Sequence, residues 1–129
     1  LDLYDFWAQR PRADYAVTIP HVPSLRLLNG PTGPVGNFSL VDIAEKQWSY
    51  FDQLIDLLRE GSATAIAPKV AALEIYEAAR NRDSGRTVFA PGCNSWYLDA
   101  DGVPQVWPWS YDHFVDVMAK PRLEDYVLT

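Results

Sequence analysis

Residues 29–39, Asn-Gly-Pro-Thr-Gly-Pro-Val-Gly-Asn-Phe-Ser, are the stretch whose composition best suits ligand chemistry. Three glycines and two prolines in eleven residues make a loop that turns sharply and lets another molecule approach backbone with no Cβ in the way. A helix following the loop aims its unpaired N–H groups back across it, and with the helix dipole these favour a phosphate or an electron-rich ring. The spacing matches neither the Gly-Lys-Ser/Thr ending of a Walker loop nor the Gly-x-Gly-x-x-Gly dinucleotide fingerprint. An ordinary loop ahead of a helix is the competing reading.

Other chemically capable residues are scattered. Cys93 and His113 lack a companion motif, and a lone free cysteine more often serves as a small buried hydrophobe than as a nucleophile. Asp99-x-Asp101-Gly102 begins like a calcium loop, but the later carboxylates are missing and a solvated turn is expected. His21 and His113 are too separated to suggest zinc. Asp42, Glu45, Asp52 and Asp56 read as the solvated face of a helix. No catalytic residue and no metal ligand is therefore assigned. Trp96, Trp107 and Trp109 surround one hairpin, where their rings could stack on a cofactor, line an apolar pocket or simply pack in the core.

The whole chain sets bounds on these sites. Its 129 residues are the length of one domain with a sizeable core. A net charge of −6 and a pI near 4.7, without any cluster of Lys or Arg, argue against nucleic acid as a partner. No apolar run approaches the ~20 residues of a membrane span and no secretory signal stands at the start, so a soluble chain without a membrane partner is expected. The single Cys93 excludes an internal disulfide and suits a cytoplasmic setting. A first residue of Leu, and 13% aromatic residues with five tryptophans, both suit a piece of something larger.

The elements that must position the loop can be read from periodicity and punctuation. Residues 1–12 form a short helix or an extended arm. Residues 14–19 and 25–28 are two short strands separated by Pro20-His21-Val22-Pro23. After the loop, Leu40, Ala44, Trp48, Phe51, Ile55 and Leu58 draw one stripe along a helix of about twenty residues. Ser39 with Asp42 resembles a capping box, and Gly61 ends the helix. After an apolar run at 63–67, Pro68 opens a second, more exposed helix carrying Val70, Leu73, Tyr76 and Ala79, broken by residues 81–85. Residues 87–90 are a strand candidate, 99–102 a hairpin turn, and 103–107 its edge return. Ser110 caps a last short helix with Tyr111, Phe114, Val115 and Met118, closed by Lys120-Pro121.

Taken together, three blocks carry a family resemblance. The first runs from Trp7 through Gln9-Arg10-Pro11 to Tyr15, then from Val22-Pro23-Ser24-Leu25 to Asn29-Gly30-Pro31. The second is Val35-Gly36-Asn37-Phe38-Ser39 with Ala44-Glu45-Lys46-Gln47 and Tyr50. The third, and most specific, is Gly92-Cys93-Asn94-Ser95-Trp96-Tyr97-Leu98 with Gly102, Trp107-Pro108, Phe114 and Glu124-Asp125-Tyr126. Over almost its whole length the chain resembles the C-terminal part of a flavin-containing monooxygenase of the Baeyer-Villiger type. Ser24 and Thr32 depart from the Asn found in many relatives.

The resemblance implies an α+β fold, with one long amphipathic helix and two shorter ones on short antiparallel strand pairs, forming a single C-terminal region (1–129) of a two-dinucleotide-domain flavoprotein. It implies a parent enzyme that uses FAD and NADPH to transfer one oxygen atom to a small organic substrate. By position, Gly30, Pro31, Val35, Gly36, Asn37 and Phe38 would approach FAD, and Trp96 the nicotinamide cofactor or substrate pocket. The pyrophosphate-binding fingerprints, and an arginine that relatives use near the flavin, belong to preceding segments. This chain alone is therefore expected to bind neither cofactor and to be inactive. Its partners would be the parent's N-terminal flavin and nicotinamide domains, and the apolar surface left bare by their absence would favour homo-oligomers. The alternative is a non-catalytic module whose aromatic hairpin binds a protein or small apolar ligand.

Overall fold

The structure is a computed structural model that describes residues 1–23, 25–36, 38–90, 92 and 95–129. Its elements are α1 (Leu3–Phe6), α2 (Leu40–Arg59), β1 (Ile66–Pro68), α3 (Val70–Ser84), α4 (Tyr111–Ala119) and β2 (Tyr126–Leu128). The expected α+β class is observed, but with a single short antiparallel pair, β1 and β2, and isolated bridges in place of further strand pairs among the described residues.

The long helix forms where its stripe places it, yet its buried face is rotated from that stripe. Ile43, Gln47, Tyr50, Phe51 and Leu54 are buried, whereas Leu40 and Trp48 remain 53% and 58% exposed. The apolar set therefore belongs to two faces, one packed on this chain's core and one facing outward. Gly61, at φ +77°, ends the helix as expected because only glycine takes that conformation cheaply.

The sheet lies where sequence patterning is least informative. The 63–67 run does not simply lead into a helix: β1 pairs antiparallel with β2, with Ile66 opposite Leu128 and Pro68 opposite Tyr126. Pro68 ends that strand rather than opening α3, which starts at Val70 after Lys69. The runs at 14–19 and 25–28 are not strands but isolated bridges, Asp14 to Thr18 and Thr18 to Arg26. Tyr15 and Ala16, with φ of 46° and 65°, fold the first run back on itself. Arg26 then joins it to β1, donating to the carbonyl of Ile66 at 3.0 Å.

Residues 87–90 are turns and bends rather than a strand. The hairpin turn at 99–102 is present, closed by a Leu98 to Pro104 bridge. It is not simply solvated: Asp99 Oδ1 accepts from the amides of Asp101 and Val103, both at 2.9 Å, and Oδ2 meets Arg10 at 3.0 Å. Although burial pushes the Asp99 carboxyl up, those amides and Arg10 hold it below the usual carboxylate range. The core gathers α2, α3, α4 and β2 around Phe51, Leu54, Leu73, Tyr76, Phe114 and Tyr126.

Candidate functional site

The glycine loop has a buried root and an open tip. At the root, a Cβ on Gly30 would stand 2.2 Å from the carbonyl oxygen of Ala16 and 2.9 Å from Leu27 Cβ. Glycine is required there by the neighbouring turn of this same chain. Thr32, Gly33 and Pro34 are buried behind it, and Pro31 is half-buried. The Thr32 hydroxyl lies 3.4 Å from that of Tyr76, and the Gly33 carbonyl accepts from the Trp107 amide at 3.2 Å. The root is tied to α2 as well, since Asn29 donates its amide to Gln47 Oε1 at 2.7 Å.

The tip points outward. Gly36 takes φ +83°, and among the described residues no atom beyond its own chain neighbours lies within 4 Å of a Cβ built on it. Val35 is half-buried, and Phe38 stacks on Tyr111 with ring centres 5.8 Å apart. Asn37, like Ser24, Pro91, Cys93 and Asn94, lies outside the described residues.

The start of α2 is capped as the sequence indicates, with one change. Ser39 Oγ accepts from the Asp42 amide at 3.4 Å. The Asp42 carboxylate, which a capping box would return to Ser39, instead accepts from the Tyr111 hydroxyl. That bond first, then burial, raises the Tyr111 phenol above its ordinary value. The helix thus presents the amides of Leu40 and Val41, which geometry leaves without intrahelical partners. Beside them Leu28, Leu40, Val41, Ala44 and Trp48 line an apolar groove, with Val41 71% exposed. Together these side chains make one contiguous exposed apolar surface.

The tryptophans divide. Trp107 is buried in the core, at 4.8 Å and 79° to Trp109 and 5.6 Å from the His113 ring. Trp109 Nε1 donates to Asp83 at 2.9 Å. Arg82 first and then Trp109 hold the Asp83 carboxyl down at about 2. These two rings are core packing, whereas Trp96 is 93% exposed and has no ring partner among the described residues.

Two polar features were not singled out from the sequence. On α3, Arg80 is completely buried and forks onto Glu77 at 3.0 and 3.1 Å; it also donates to the Pro104 carbonyl at 2.8 Å. A Glu and Arg three apart is the available signal, but surface pairs show it equally. Asp14 is 2% exposed, and its Oδ1 has no hydrogen-bond partner among the described residues. Burial first and Asp125 second push its carboxyl up to about 7, opposed by Arg122. No cluster of three His, Cys, Asp or Glu suited to a metal occurs among the described residues. None of their helices is long and apolar enough to cross a membrane.

No family model matches the chain. Curated relatives do: uncharacterized monooxygenases of Mycobacterium tuberculosis and Mycobacterium bovis are 38% identical over 124 residues, 96% of this chain and 25% of theirs. An FAD-binding monooxygenase of Aspergillus niger is 29% identical over 98% of the chain and 22% of its own length. The chain is related to a segment of the FAD-binding monooxygenases. It spans about a quarter of the length of the monooxygenases it matches. The fold agrees. Cyclohexanone monooxygenase from Rhodococcus bound to NADP+ superposes with a TM-score of 0.83 at 21% identity, over 100% of this chain and 25% of that one. A steroid monooxygenase bound to NADP gives 0.85 at 19%, over 98% and 25%.

Proposed function

We propose that this chain is the C-terminal region of an FAD- and NADPH-dependent monooxygenase that transfers one oxygen atom to an organic substrate, with the 35–38 loop tip forming a wall beside the flavin ring. The observation that carries the reading is the open tip, with the bare Gly36 backbone and the α2 N-terminus standing next to an apolar groove. Such a place suits the electron-rich edge of a flat ring: amides without intrahelical partners favour negative charge there, and glycine lets the ring come close. Gly30 and Pro31 hold the loop in place from its root, Val35, Gly36 and Phe38 face the ring, and Trp96 reaches toward the nicotinamide cofactor or the substrate.

The residues present fit one edge of such a cofactor and no more. FAD supplies the redox chemistry when bound in the parent enzyme. The Gly-x-Gly-x-x-Gly turns that would hold its phosphates do not occur in these 129 residues. The chain by itself is accordingly inactive and takes up neither cofactor. Titrating the purified chain into FAD while following flavin fluorescence is expected to leave the signal unchanged; a Kd of micromolar or tighter sinks the reading. Sequencing the gene upstream of Leu1 is the complementary test, because an open frame without two dinucleotide fingerprints contradicts it.

A further inference from the structure

A cavity of about 280 Å³ opens between the 13–18 turn, α2, α4 and the segment leading into β2, and it shares no residue with the glycine loop. Asp14 forms part of its wall, together with the rings of Tyr15, Tyr50 and Tyr126. The volume lies just below the usual range of ligand pockets, about 300–1,000 Å³, and suits a molecule with a single ring. We propose that this cavity is a binding site for a small organic ammonium ion, held by the Asp14 carboxylate and the surrounding phenol rings.

The chemistry follows from what Asp14 lacks. It is almost fully buried, and one carboxylate oxygen has no donor among the described residues. A buried acceptor of this kind calls for a donor, and a cationic one recovers the most. The aromatic walls add attraction for a cation at their faces. The Tyr50 hydroxyl meets that of Tyr126 at 2.7 Å, and the Tyr126 hydroxyl also meets Thr18 Oγ1 at 3.3 Å, so both have partners other than Asp14 and the two residues contribute their rings. Of the charged groups facing the cavity, Asp125 and Asp116 add negative potential. Arg122 opposes it but is committed to Glu124 at 3.2 Å and Asp125 at 3.4 Å. His113 and Lys120 are exposed at the mouth. An entering ammonium would displace the proton that burial keeps on Asp14 near neutrality, so binding tightens as pH rises toward 8.

The test uses the full-length protein with benzylamine as the probe and benzyl alcohol as its neutral counterpart, titrated by NMR at pH 6, 7 and 8. The expected result is saturable benzylamine binding that strengthens about fivefold from pH 6 to 7 and about tenfold from pH 6 to 8, with at least tenfold weaker binding of benzyl alcohol. D14N should weaken benzylamine at least tenfold while keeping a native spectrum. V117W, which fills the cavity from α4, should abolish binding without touching the carboxylate. Equal affinity for the two probes, equal affinity in D14N, or no saturable benzylamine binding at any of the three pH values overturns the proposal.

Discussion

Gly30 and Gly36 sit six positions apart in one loop and are glycine for opposite reasons. At Gly30 a Cβ would collide with the Ala16 carbonyl at 2.2 Å, a backbone contact that a side-chain rotation cannot relieve. G30A is expected to cost about 3 kcal/mol or more, read from urea denaturation. At Gly36 there is open space and only the left-handed backbone at φ +83° resists substitution, so G36A should cost about 1 kcal/mol. If G36A proves the more damaging of the two to stability, this assignment of root and tip is wrong. Asp14 supplies a pH prediction. Its carboxyl ionises near 3.8 when unfolded and near 7 when folded, so between those values the folded chain binds more protons. The contribution of Asp14 to stability therefore falls as pH rises from about 4 to 7 and then levels off, by about 4 kcal/mol at most. Urea midpoints compared with D14N isolate the effect: the variant should gain on the wild type steadily across that window, and parallel curves would refute the shift.

At the scale of elements, α3 departs most from its expected character. Its apolar stripe is narrow, yet it buries Leu73, Tyr76, Glu77, Arg80 and Ser84, because the Arg80 and Glu77 pair satisfies its charges internally and reaches the hairpin return at Pro104. Removing one partner leaves the other charge buried alone. R80M is expected to lose about 3–5 kcal/mol, and the double variant R80M/E77L to recover part of it. Denaturant midpoints of the two variants decide the matter: if the double variant is no more stable than the single one, the pair is not the anchor. The two apolar faces of α2 follow the same logic of partners. The Ile43, Tyr50 and Leu54 face is met by this chain's own core, whereas among the described residues the Leu40, Val41 and Trp48 face stays largely exposed.

For the molecule as a whole, that outward face is an exposed apolar surface on a chain that spans about a quarter of the monooxygenases it matches. Burying apolar surface is worth about 25 cal/mol per Å², so the bare groove should seek a copy of itself when the chain is isolated. Sedimentation of the 129-residue chain is expected to show concentration-dependent association. The double substitution V41K/W48K on exposed positions should return it to monomer with stability changed by less than ~0.5 kcal/mol. Association unchanged in that variant would place the sticky surface elsewhere.

Much of this architecture was legible in the sequence because it rests on local rules. The 20-residue helix, its Ser39 cap and Gly61 stop, the hairpin turn at 99–102, the Ser110-capped α4 and the family resemblance all depend on residues close together in the chain. What the sequence left open depends on partners brought from far away. β1 needs β2, about sixty residues later, and three-residue strands carry no periodicity to read. Trp107 and Trp109 became core while Trp96 stayed bare, although all three share one composition and one hairpin. The orientation of α2 could not be read from its stripe, because two apolar faces overlap within it and only the tertiary packing decides which one this chain itself can bury.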